Sequence, residues 1–140
     1  MALNNVPITP ATVQAVKAVL ATACTDKTGA TTANLVAGYT ATTQANKGNG
    51  AIFAGFTATA PSATSTTTAA FVVLCFYKSA AGVYELLKEV AVAAGVGSTT
   101  AAGATTGYIQ VNKNLEPGDA IFFGTTVTLP VHVTGDAGEF

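Results

Sequence analysis

Apolar positions along this chain come in short bursts, separated by stretches of Thr, Ala, Gly and Pro, and the densest burst runs from Thr68 to Val92. Within it, Phe71-Val72-Val73-Leu74-Cys75-Phe76-Tyr77 is a β-branched and aromatic run of the kind found in a strand at the middle of a core. It ends at Lys78. Ser79-Ala80-Ala81-Gly82 then supplies a short turn whose glycine can take positive φ, and a second apolar run follows from Val83 to Val92. That second run is ambiguous. Val83, Leu86, Leu87, Val90, Ala91 and Ala94 share a helical face, with Gly95 placed to end a helix. Strand alternation groups Tyr84, Leu86, Val90 and Val92, with Lys88 as the misfit. The short turn before it and the β-rich surroundings select the strand, and with it a β-hairpin.

The rest of the chain reads in the same style. Residues 1–10 predict an extended arm, since Pro7 and Pro10 forbid regular structure while Leu3, Val6 and Ile8 give the arm something to dock with. Thr12 to Cys24 reads as a helix capped by Thr9-Pro10, or as a Thr/Val strand; we take the strand. Thr25 to Gly29 is a turn. Ala33 to Ala37 is a short strand ended by Gly38, and Tyr39 to Gly50 is a polar loop closing on Lys47-Gly48-Asn49-Gly50. Ala51 to Ala60 returns to strand, with Gly55 marking a bulge or a close backbone approach.

Pro61 to Thr67 is a loop, and Gly95 to Gly107 is a low-complexity exposed loop. Tyr108 to Val111 alternates as a strand. In Leu115-Glu116-Pro117-Gly118-Asp119, Pro117 and Gly118 fit the central positions of a type II turn. Ala120–Thr125 and Thr126–Val133 are the last strands, separated by a kink at Gly124. Pro130 marks an edge strand or bulge, and Gly135–Phe140 a tail. Seven to nine short strands predict an all-β fold, a jelly-roll-like β-sandwich, as a single domain over residues 11–140. Its expected core is Phe53, Phe71 or Phe76, Leu74, Leu86, Ile109, Ile121 and Phe123.

Composition sharpens this picture. The 140 residues suffice for a core without staples. Hydrophobic residues make up 49% of the chain, yet no apolar run approaches the ~18 residues of a membrane helix. Only 9% of residues are charged and the net charge is −1, against about 25% charged in an ordinary soluble domain. Self-repulsion therefore hardly opposes association, and much of the surface is expected to be buried against copies of the chain or a partner. There is no arginine, and the six lysines are scattered. Nucleic-acid recognition, which leans on the guanidinium fork, is not expected. The first ten residues lack the charged and apolar regions of a secretory signal, which suggests folding in a cytosol. In such a reducing compartment Cys24 and Cys75 are read as two buried free thiols, although they could meet across a sandwich.

Candidate chemistry is thin. His132, the sole histidine, would need Cys24, Cys75 or a hydroxyl beside it to form a nucleophilic relay, and a strand histidine facing solvent or an interface is the simpler reading. One His and two distant Cys give no metal-ligand spacing, so neither metal nor cofactor is expected. Glu116 and Asp119 could act as a carboxylate pair, but a solvated turn accounts for both. Gly95-Val96-Gly97-Ser98-Thr99 lacks the lysine of a phosphate loop. Tyr39, Tyr77, Tyr84 and Tyr108 could stack on sugars if they lined one exposed face. That would make a receptor- or glycan-binding module the alternative to a structural role.

Five features then form a familiar pattern. The first strand ends in the polar turn Ala23–Gly29, and Leu35–Gly38 follows as a short Leu-Val-Ala-Gly strand. Next come Gly-Ala-Ile-Phe from Gly50, the hairpin carrying Tyr84–Val90, and the Leu-x-Pro-Gly-Asp turn at Leu115–Asp119. Together they resemble the small β-sandwich capsid decoration (cement) proteins of tailed bacteriophages. The resemblance implies a non-enzymatic structural virion protein, made in the host cytoplasm and bound to the outside of the phage head. It also implies contact with a major capsid protein, commonly as a homotrimer, with no membrane or nucleic-acid partner. The arm residues Leu3, Val6 and Ile8 are the candidate partner contact.

Overall fold

A computed structural model describes residues 12–41, 50–60, 70–94 and 104–140. Eight strands follow in order: β1 (Thr12–Leu20), β2 (Val36–Thr40), β3 (Ala51–Thr59), β4 (Phe71–Lys78), β5 (Tyr84–Val92), β6 (Ile109–Leu115), β7 (Ala120–Thr125) and β8 (Val131–Glu139). They form two four-stranded sheets, β1-β8-β3-β6 and β2-β7-β4-β5, and every pairing is antiparallel. Only β4 and β5 are neighbours both in sequence and in a sheet. Every other in-sheet pair joins strands distant in sequence, the rolled double Greek key of a jelly roll. The all-β expectation holds, including the strand reading of Thr12–Leu20.

The sheets are held together by alternation. On β1, Val16, Ala18 and Leu20 face inward. Val131, Val133 and Ala137 do so on β8, as do Phe71, Val73 and Cys75 on β4. At the centre, Phe53, Phe56 and Phe123 pack together. The two β3 rings are stacked with centroids 6.3 Å apart, and Phe123 meets them edge-on at 6.2 and 5.0 Å. All three are fully buried, each worth about 1.5–3 kcal/mol against exposure.

The hairpin forms as its turn chemistry requires, with Gly82 at φ 91° and its N–H bonded to the Ser79 carbonyl at 2.8 Å. The Glu116–Asp119 turn also takes the type II form. Gly118 sits at φ 91°, and the Asp119 N–H reaches the Glu116 carbonyl at 3.0 Å. At Gly55 the β3 register slips against both neighbours. A side chain there would run into the Ile109 carbonyl and the Tyr108 ring, so the glycine marks both a bulge and a close approach.

Several expectations are corrected. β2 covers Val36–Thr40 and runs through Gly38 instead of ending there, because the register shift falls between Ala37 and Tyr39 and the Phe123 ring and Val16 fill the space a side chain would need. β6 continues past Val111 to Leu115 through Asn112, whose φ of 55° belongs to a bulge and is one Asn tolerates. Gly124 lies inside β7, where pairing with β4 is unbroken, and the chain turns instead at 126–130. The supposed tail is most of β8, a central strand. Pro130 stands just before that strand, where no ladder N–H is required. Residues 104–106 are not free loop: the Ala60 N–H bonds the Ala104 carbonyl, and Thr106 exchanges hydrogen bonds with Ala58.

Leu74 and Leu86 are not part of the layer between the sheets, nor is Phe76. They belong to a second apolar cluster with Cys24, Leu35, Tyr84 and Phe122, on the outside of the β2-β7-β4-β5 sheet. The arm at 1–10, with Leu3, Val6 and Ile8, lies outside the described residues. So do the loop positions 42–49, 61–69 and 95–103.

Candidate functional site

The two outer faces of the sandwich are finished differently. Over the β2-β7-β4-β5 sheet the chain lays its own segment 21–35. Ala23 forms a parallel bridge with Thr125, and the Cys24 N–H donates to the Thr125 carbonyl at 2.6 Å. Further along, the Lys27 ammonium reaches Glu89 of β5 at 3.1 Å. Beneath this cover Leu74 and Phe76 are fully buried, so β4 is apolar on both faces. That explains the unbroken hydrophobic run which stood out in the sequence.

Asp26 shapes the covering segment. Its carboxylate accepts from the Thr28 hydroxyl, the Thr28 N–H and the Thr31 N–H. These bonds hold its pKa at about 2, below the usual carboxylate range, with the Thr28 hydroxyl the largest cause.

The opposite sheet, β1-β8-β3-β6, carries no such cover among the described residues. Alternation puts Val13, Ala15, Lys17 and Val19 of β1 outward, all exposed. His132, Thr134 and Asp136 of β8 lie beside them, also exposed. The half-buried Ile52, Thr57 and Thr59 of β3 and the exposed Gln110 and Asn114 of β6 complete the face. Lys17 and Asp136 are its only charged residues among those described. Val13 is 74% exposed and Val19 55%. With only Lys17 and Asp136 charged among the described residues of a four-stranded face, it costs less to desolvate than an ordinary charged surface, as a docking surface must.

The four sheet edges also differ. β2 is five residues long and bulged at Gly38. β5 carries Glu85, Lys88 and Glu89 and is bulged at Leu87. β6 is bulged at Asn112 and turns Lys113 inward, its ammonium 4.4 Å from the centre of the Tyr77 ring. Each device discourages strand addition. β1 has no bulge and no inward-turned charge, and Lys17 is its sole ionic residue. It spans nine residues, and its register against β8 is unbroken from Thr12 to Leu20.

The residues singled out for chemistry do not converge. His132 is exposed on the bare face, between Val19 and Thr59 in register. Cys75 sits between the sheets and Cys24 beyond the far one, both free and buried. Burial pushes the Cys75 thiol up, out of reach of thiolate chemistry. Among the described residues no three of His, Cys, Asp or Glu gather as metal ligands.

The tyrosines do not share a face either. Tyr39 lies against the inter-sheet core and donates its hydroxyl to Glu139. Tyr77 donates to Asp119 at 2.9 Å, and Tyr84 packs edge-on against Phe122 under the covering segment. Only Tyr108 is largely exposed, with its hydroxyl on Asp136 at 3.1 Å.

Asp119 does not sit in a solvated turn, contrary to the expectation from sequence. It is 4% exposed and accepts from the Tyr77 hydroxyl, the Ala80 N–H and the Glu116 N–H, each at 2.9 Å. It pins the hairpin turn to the type II turn. No local pattern announces that role, because two of its three donors, Tyr77 and Ala80, arrive from the hairpin some forty residues earlier. The bare face was equally hidden as a face, and only the low charge hinted at it.

Fold and surface together define a jelly roll with one self-covered sheet, one bare sheet and a single unguarded edge among the described residues. The sequence matches no family model and no curated protein.

Proposed function

We propose that this chain is a non-enzymatic structural virion protein of the capsid decoration type, seated on the outside of a phage head where it cements the shell. The bare β1-β8-β3-β6 face carries this reading. A chain whose described residues cover one sheet with their own segment, and leave the other with only Lys17 and Asp136 charged, keeps that second face for a partner. The major capsid protein is the partner proposed, because a shell presents one complementary patch many times over and weak contacts then sum through multivalency. Jelly rolls recur in viral capsid domains, which supports the reading by analogy of fold. In this proposal the arm at 1–10 reaches a neighbouring shell subunit through Leu3, Val6 and Ile8.

The test is add-back. Purified chain is mixed with heads that lack it, and bound copies and the temperature of head disruption are measured. Saturable binding at a fixed ratio to the shell protein, with a raised disruption temperature, is the expected result. Failure to bind, or binding without any gain in heat resistance, overturns the cementing role. Deleting residues 2–9 is expected to lower both occupancy and heat resistance, and unchanged values retire the arm's part in it.

A further inference from the structure

We infer that β1 is a self-pairing edge, and that two copies of this chain join along it, antiparallel about Val16, into one continuous eight-stranded sheet. Among the described residues no strand pairs with the second side of β1, and its backbone N–H and C=O groups there are complementary to another extended strand. The occupant is identified by what that strand carries. With Val16 opposite its own copy, Val13 faces Val19 of the second copy and Val19 faces Val13. The two largest apolar side chains exposed on β1 are thus covered by each other.

The same register places Lys17 opposite Ala15 of the second copy, and Ala15 is itself the register partner of Asp136 on β8. Lys17, Ala15 and Asp136 therefore fall in one line across the junction. Two strand spacings, about 10 Å, separate the lysine backbone from the aspartate backbone. A four-carbon stem laid over a methyl side chain spans that gap. Two-fold symmetry makes the contact twice. Among the described residues of one chain neither is ion-paired, Asp136 holding only the Tyr108 hydroxyl and the salt bridge being Lys27–Glu89. Both charges of the bare face are thereby matched, and a chain of net charge −1 does little to repel its copy.

This pairing is two-fold, unlike the trimer implied by the resemblance, and it is independent of any shell. Sedimentation of the full chain in dilute buffer is expected to show a dimer. Lys17→Asp and Asp136→Lys are each expected to weaken it roughly tenfold or more, since each removes two equivalent pairs and sets like charges in line. The double exchange is expected to restore it. Unfolding midpoints of all three variants show whether the fold is kept. Val13→Cys combined with Val19→Cys is expected to give covalent dimers on mild oxidation, while Val13→Cys alone stays uncrosslinked. A monomer, a trimer, or a dimer indifferent to both charge reversals and not captured by the cysteine pair overturns the inference. None of these readings uses a capsid, so failure here leaves the add-back result to stand or fall by itself.

Discussion

Asp119 is the residue on which two turns depend. Its two carboxylate oxygens take three donors, one of them the Tyr77 hydroxyl and two of them backbone N–H groups at Ala80 and Glu116. Removing the carboxylate leaves those part-buried donors without their acceptor, and each stranded donor costs about 1–3 kcal/mol. Asp119→Ala is therefore expected to destabilise the fold by about 3 kcal/mol or more in urea unfolding. Tyr77→Phe, which strands one acceptor position but no backbone donor, is expected to cost about 1–2 kcal/mol. If the two variants prove equal, the backbone donors have found other partners and Asp119 is no anchor. The same hydrogen bond holds the Tyr77 phenol above its ordinary range, with desolvation adding to it. That raised pKa favours the neutral phenol in the folded state, so its stabilising share is present below the unfolded value and fades as pH climbs past it.

At the scale of elements, the segment 21–35 behaves as a lid built by the chain for its own sheet, and its internal frame is ionic. A carboxylate depressed to about 2 stabilises the fold at every pH above its unfolded value of about 3.9. That contribution is lost as pH falls through the interval down to about 2. Urea midpoints of the native protein are accordingly expected to drop across this acid interval. Asp26→Asn is expected to start lower at neutral pH, because an amide nitrogen would confront the Thr31 N–H, and to lose this part of the acid slope. An unchanged slope would assign the acid limb to other carboxylates.

The neighbouring strand shows why the sequence was only partly legible. β5 looked helical because a bulge at Leu87 interrupts its alternation. Tyr84 and Leu86 lie outward under the lid, whereas Leu87, Val90 and Val92 turn inward. One inserted residue converts a period of two into spacings of three and four, the signature of a helix face. The β4–β5 hairpin and the turns at Gly82 and Gly118 could be read because their determinants are local. The extents of β2, β6 and β8 could not, since bulge positions and strand order are set by residues far away along the chain.

For the whole molecule, scarcity of charge becomes meaningful only once the two outer faces are separated. Composition said that little of the surface was ionic, but it could not say that the β1-β8-β3-β6 face alone is left bare among the described residues. If that face docks on a shell, a charge placed there must be desolvated without a partner whenever the protein binds, and such a charge weakens association strongly. Gln110→Glu with Asn114→Glu puts two carboxylates on β6, the strand farthest from β1, so the self-pairing edge is untouched. Both positions are exposed, and exposed substitutions of this kind shift stability by no more than about 0.5 kcal/mol. Occupancy on heads is expected to fall at least about tenfold while the unfolding midpoint and the dimer remain. Ala30→Glu, exposed on the segment that covers the opposite sheet, adds charge where the reading assigns no partner and is expected to bind as the native protein does. Equal loss from both faces would mean that net charge governs attachment. Loss from Ala30→Glu alone would turn the molecule over, making the self-covered sheet the one that meets the shell.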